Sequence, residues 1–85
     1  MLTLQQQYEQ LRRDEQSANL PKPLSERSGC KVSWAVYATQ EEANKRAVFA
    51  RRKADLDAEL GYEFGYLTPG TVTQLTDGTW EVVLP

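Results

Sequence analysis

The 85-residue chain has no histidine, a single cysteine and no apolar run long enough to span a bilayer. Without histidine it lacks the usual acid/base group of neutral pH, the histidine-based nucleophile triads and the commonest zinc ligand. Cys30 has no partner for an internal disulfide, and one thiolate cannot anchor a structural zinc or iron–sulfur centre. Flanked by Gly29 and Lys31, with no histidine or second cysteine to activate it, Cys30 reads as a small residue entering a strand. A reducing, cytoplasmic setting follows as the expectation. The opening Met1-Leu2-Thr3-Leu4-Gln5-Gln6-Gln7 has neither the charged nor the apolar region of a secretory leader, so no membrane association is expected. The remaining catalytic raw material is carboxylates, tyrosines, lysines and serines, with no spacing that forces two of them across a cleft. The reading is a non-enzyme without a cofactor.

At this length the chain is one domain by the usual range of roughly 100 to 200 residues. Thr3 to Ala18 consists of helix formers, with Leu4, Tyr8 and Leu11 on one face. This narrow stripe predicts an N-terminal helix over 1–18 that must dock on the domain or on a partner. Residues 19–30 carry Pro21, Pro23, Ser25, Ser28 and Gly29 and read as a linker. Residues 31–85 then form an α+β domain. Lys31 to Ala38 alternates as a half-buried strand, with Val32, Trp34, Val36 and Ala38 on the expected core face and Tyr37 on the outer one.

Thr39-Gln40-Glu41-Glu42 fits a capping box and opens a long helix that should stop at Gly61. Ala43, Ala47, Ala50 and Ala54 form a flat stripe suited to a sheet, and Phe49, Leu56 and Leu60 a second stripe suited to the N-terminal helix. Thr68-Pro69-Gly70-Thr71 fits a type II turn. Asp77-Gly78 signals a two-residue type I′ hairpin, which would set Leu75 opposite Trp80 and place Leu75, Trp80, Val82 and Leu84 on the core face. The predicted architecture is a small, mainly antiparallel sheet, made of a strand and a C-terminal hairpin, packed on one long helix.

Charge is distributed unevenly along the long helix. Lys45, Arg46, Arg51, Arg52 and Lys53 make residues 40–54 basic, whereas Asp55, Asp57, Glu59 and Glu63 make the end acidic. Carboxylates at a helix C-terminus oppose the macrodipole, and i, i+4 pairs such as Arg51–Asp55 and Lys53–Asp57 offset this by only a few tenths of a kcal/mol. The acidic end, with Tyr37 as a surface anchor, is therefore a candidate partner-binding surface for a basic protein. Asp55 to Gly61 resembles the start of a calcium loop, but the glycine falls one position late and Tyr66 stands where the bidentate glutamate belongs, so no metal is expected.

A nucleic-acid interface is the alternative, with Arg51, Arg52 and Lys53 on phosphates and Tyr62, Phe64 and Tyr66 stacking on bases. Gly61-Tyr62-Glu63-Phe64-Gly65-Tyr66 is similar to the RNP1 strand of RNA-recognition motifs in its glycine and aromatic spacing. It departs from that pattern at Leu60, Glu63 and Gly65. A structural protein self-associating as a homodimer through Leu4, Tyr8 and Leu11 is a third possibility.

Val36-Tyr37-Ala38-Thr39 leading into Glu41-Glu42-Ala43, then Gly61-Tyr62 and a terminal Asp-Gly hairpin, resembles the small accessory proteins of bacteriophages and mobile elements. The likeness covers about two-thirds of the chain. It implies a non-enzymatic protein that binds and modulates a host macromolecule. The leading expectation is a protein-binding module of the phage-encoded, anti-defence or anti-CRISPR-like inhibitor kind that occludes a basic, nucleic-acid-handling surface of a host complex.

Overall fold

The computed structural model describes all residues, Met1–Pro85. Helix α1 spans Leu4–Ala18, strand β1 Ser25–Ser28, strand β2 Ser33–Tyr37, helix α2 Gln40–Glu59, strand β3 Val72–Gln74 and strand β4 Trp80–Leu84. The strands form one antiparallel sheet in the order β1-β2-β4-β3. This is the expected α+β arrangement, with α2 packed on the sheet through β2, β4 and β3.

Each helix begins where a threonine side chain can accept an orphan amide. Thr3 and Gln6 form a full reciprocal capping box. Thr39 accepts from the Glu42 amide at 3.2 Å, while the Glu42 carboxylate takes the Thr39 hydroxyl at 3.0 Å rather than its amide. Helix α2 ends in a Schellman motif: the Tyr62 amide donates to the Asp57 carbonyl at 3.2 Å, and the Gly61 amide to Ala58 at 3.0 Å. Gly61 supplies the left-handed φ of +88° that this ending requires.

The core is the contact of the alanine stripe with the sheet. Ala43, Ala47 and Ala50 are buried against Ala35, Tyr37, Val82 and Leu84, with Val72 and Trp80 packed at the margin. Tyr37 thus lies inside, at 2% exposure, and burial raises its phenol pKa. The expected faces of β2 are reversed. Helix and sheet approach closely only if small residues meet the alanine stripe, so Ala35 faces α2 and Trp34 takes the far face. There Trp34 is roofed by the Arg27 guanidinium, 4.0 Å from its ring, and Arg27 reaches on to Glu81 at 3.2 Å.

Arg27 belongs to a strand that was expected to be linker. Ser-Glu-Arg-Ser is fully exposed and has no apolar alternation to announce it, yet it pairs with β2 from Ser25↔Val36 to Ser28↔Ser33. The C-terminal hairpin also differs by one residue. Asp77 keeps a negative φ, its carboxylate accepts the Thr79 amide and hydroxyl, and Gly78 alone adopts the left-handed conformation, at φ +89°. The Gly78 amide closes a turn on the Leu75 carbonyl at 3.0 Å, and Leu75 pairs with Thr79 at 2.8 Å. The resulting three-residue loop shifts the register to Val72↔Val82 and Gln74↔Trp80. Val72, instead of Leu75, joins the core face.

The type II turn forms as expected, with the Thr71 amide on the Thr68 carbonyl at 3.2 Å and Gly70 at φ +87°. Gly70 is also a point of close approach: a β-carbon there would collide with the Arg51 side chain and lie 3.1 Å from the Ala47 carbonyl. Gly61 has the same backbone sign but open space around it. Gly70→Ala should therefore cost about 2–3 kcal/mol and Gly61→Ala only about 1 kcal/mol, read as urea midpoints. Equal losses would show that backbone strain alone, without the contact on α2, sets the cost.

Candidate functional site

Helix α1 touches α2 and no strand. The two run antiparallel, because Tyr8 meets Asp57, Asp14 meets Arg52 and Glu15 meets Arg46. Leu11 is the one residue of α1 that is buried, opposite an α2 face that buries Leu56. The expected docking of the N-terminal stripe on the second stripe of α2 is found, but Leu60 of that stripe stays exposed. The surface offered for self-association, Leu4, Tyr8 and Leu11, is thus occupied largely within the chain.

Polar contacts fix the register of the helix pair. The Tyr8 hydroxyl donates to Asp57 Oδ1 at 2.5 Å, and Lys53 Nζ donates to Oδ2 at 3.0 Å. Asp57 is consequently buried, at 8% exposure, with both oxygens occupied. Desolvation, followed by the hydrogen bond to the Asp57 carboxylate, pushes the Tyr8 phenol up to about 12. Arg52 donates to Asp14 Oδ2 at 2.8 Å, and that bond, aided by Gln10, holds the Asp14 carboxyl below its ordinary range.

These contacts divide the residues singled out in the sequence. Asp57 is not part of an acidic surface but a lock between helices, and Tyr37 is a core residue rather than a surface anchor. Of the basic set, Arg51 donates to the Gly70 carbonyl at 2.9 Å, Arg52 is held by Asp14 and Lys53 by Asp57. The expected Lys53–Asp57 pair forms; Arg51–Asp55 does not, because the turn carbonyl takes the guanidinium. Phe64 is half-buried and, with Val32, Trp34, Tyr66 and Leu67, lines an apolar cavity of about 300 Å³ away from those cations. No single face gathers the proposed phosphate-binding and base-stacking groups.

What remains exposed is the far end of α2. Asp55 and Glu59, one turn apart, and Glu63 beyond the Schellman motif are exposed and enter no ion pair. Antiparallel packing brings the start of α1 to this end, where Leu2 borders a groove with Asp55 and Leu56, and Leu4 another with Leu60. Four of the seven exposed large apolar side chains, Met1, Leu2, Leu60 and Tyr62, belong to these segments. Scattered apolar exposure is ordinary on a protein surface; concentration beside unpaired carboxylates marks an interaction surface. Leu2 and Leu60 were missed as surface residues because only the helix–helix register sets Leu2 beside Asp55 and Leu60 beside Leu4.

Compared with family models, with curated proteins and with solved structures, the chain matches none. Its class rests on the fold itself: a four-stranded antiparallel sheet backed by one helix, with a second helix docked on the first. Neither helix is long and apolar enough to cross a membrane.

The Tyr8–Asp57 contact predicts a pH dependence. The folded-state pKa of Tyr8 lies above its unfolded value, so the contact stabilises fully below pH 10 and is lost as pH rises from about 10 to 12. Tyr8→Phe should cost about 1–2 kcal/mol at pH 7, because Asp57 keeps Lys53, and the gap to wild type should narrow across that alkaline window. Urea unfolding at pH 7 and at pH 11 measures both. A gap that does not narrow would mean that the phenol is not titrating in place.

Proposed function

We propose that the chain is a non-enzymatic protein-binding module whose acidic, apolar end covers a basic protein surface of the kind that holds nucleic acid. The observation that carries this reading is the separation of charge at α2. Arg46, Arg52 and Lys53 each face a carboxylate of the fold, whereas Asp55, Glu59 and Glu63 are exposed and enter no ion pair, and Leu60 and Tyr62 in the same segment are exposed with them. Tyrosines bring large contact area with a hydrogen-bonding tip, and the carboxylates steer association with a basic partner and set its orientation. Resemblance to phage and mobile-element accessory proteins supports a host complex as the target and inhibition by occlusion as the mode of action.

Asp57 and Tyr37, being inside, take no part in this surface. A nucleic-acid interface through Arg51, Arg52 and Lys53 finds less support, since Phe64 and Tyr66 line a cavity that none of these three residues borders.

The test compares capture from nuclease-treated host lysate by wild type and by the triple variant Asp55→Lys, Glu59→Lys, Glu63→Lys, with circular dichroism confirming the fold. Capture of a defined protein complex should survive nuclease and fall at least about tenfold in the variant, with wild-type binding weakening as salt is raised. Undiminished capture by the variant, or loss of capture with nuclease, would overturn the reading.

A further inference from the structure

A groove of about 250 Å³ runs between the helices, lined by Tyr8, Leu11, Arg12, Glu15, Arg46 and Lys53. Three cations, drawn from both helices, therefore stand against two carboxylates, Glu15 in the lining and Asp57 bonded to Lys53 and Tyr8, and the cations keep donors free for a further acceptor. Arg12 is exposed and enters no ion pair. Arg46 meets Glu15 at 3.5 Å as an ion pair without a hydrogen bond. Lys53 gives one hydrogen to Asp57, which stands behind it with its other oxygen on Tyr8, and keeps two. All three heads reach solvent, with side-chain exposures of 26% for Arg46 and 46% for Lys53.

We propose that this groove is a binding site for a phosphate dianion, held by Arg12 from α1 and by Arg46 and Lys53 from α2. Planar guanidinium forks match the oxygen spacing of a phosphate, and the ammonium adds a compact charge. Glu15 is the competing anion. Its 3.5 Å contact and 31% exposure let it turn into water and leave Arg46 to a ligand that carries two charges and more acceptor oxygens. Leu11, 3% exposed, provides an apolar wall that lowers the local dielectric and strengthens the attraction. Because the cations belong to different helices, the bound dianion ties α1 to α2. The proposal uses none of the exposed carboxylates of the acidic end.

The experiment titrates the full chain with inorganic phosphate at pH 7.5, ionic strength being held constant with sodium chloride, and follows backbone amide shifts by NMR. Saturable shifts centred on Arg12, Glu15, Arg46 and Lys53 are expected, together with a rise in the thermal midpoint. Arg12→Gln and Arg46→Gln should each weaken binding about tenfold, the loss of one charge-assisted contact, whereas Arg13→Gln, whose side chain is 69% exposed beside Glu9, should leave it unchanged.

Glu15→Gln separates a ligand site from a merely structural ion pair. It should tighten phosphate binding by removing the competitor, even if it lowers the stability of the free protein. A parallel titration with O-phosphoserine tells the source: tighter binding than inorganic phosphate assigns the groove to a phosphorylated side chain, and weaker binding to the free ion. Shifts that chloride reproduces, that do not saturate, or that Glu15→Gln fails to strengthen would overturn the proposal.

Discussion

Close contact between an alanine stripe and a four-stranded sheet is the constraint on which the remaining structure depends. Ala43, Ala47 and Ala50 let α2 come down on Ala35, Val82 and Leu84 with little side-chain volume between the layers. That proximity decides which face of β2 turns inward, because an indole under the helix would lift it off the sheet. It also brings Arg51 and the Ala47 carbonyl against the turn at Gly70, where only glycine leaves space. A single packing distance thus governs strand orientation, turn chemistry and the course of the loop after the helix.

Helix α1 is attached by a different kind of force. It buries one leucine and otherwise relies on Tyr8–Asp57, Asp14–Arg52 and Glu15–Arg46. Such contacts are individually weak where they are exposed, but they are directional, and they set the helices antiparallel in a definite register. The register has a structural consequence: it gathers the start of α1 and the end of α2 at one pole of the molecule. It also sets Arg46, Arg52 and Lys53 of α2 beside carboxylates of the fold, while Asp55, Glu59 and Glu63 stay without an ion pair at one end.

Much of the fold was legible in the residues. Thr39 and Gly61 bound the long helix, the alanines mark the face it buries, and Pro69-Gly70 locates the type II turn. Three things were not legible, each for a physical reason. Ser25–Ser28 is an edge strand without a buried face, so it lacks the alternation by which strands are recognised. Asp77-Gly78 is compatible with both a two-residue and a three-residue loop, and the bonds from Thr79 to the Asp77 side chain select the longer. The two halves of the Lys31–Ala38 alternation are both apolar enough to be core, and only the proximity of α2 distinguishes them. Of the candidate surface, Asp55, Glu59 and Glu63 could be read from charge runs. The inward turn of Asp57, and the placing of Leu2 beside Asp55 and of Leu4 beside Leu60, depend on a long-range helix register that no local pattern encodes.

The Arg27 roof over Trp34 bears on how the sheet ends. The sheet has helices on one side only and two short edges, a shape prone to stacking or to growth by strand addition. Arg27 covers the largest ring of the uncovered side and ties it to Glu81, while the four residues of β1 present charge and hydroxyls along the outer edge. A segment with nothing to bury therefore acts as a border, marking where the sheet stops and keeping its open face from becoming a seam between molecules.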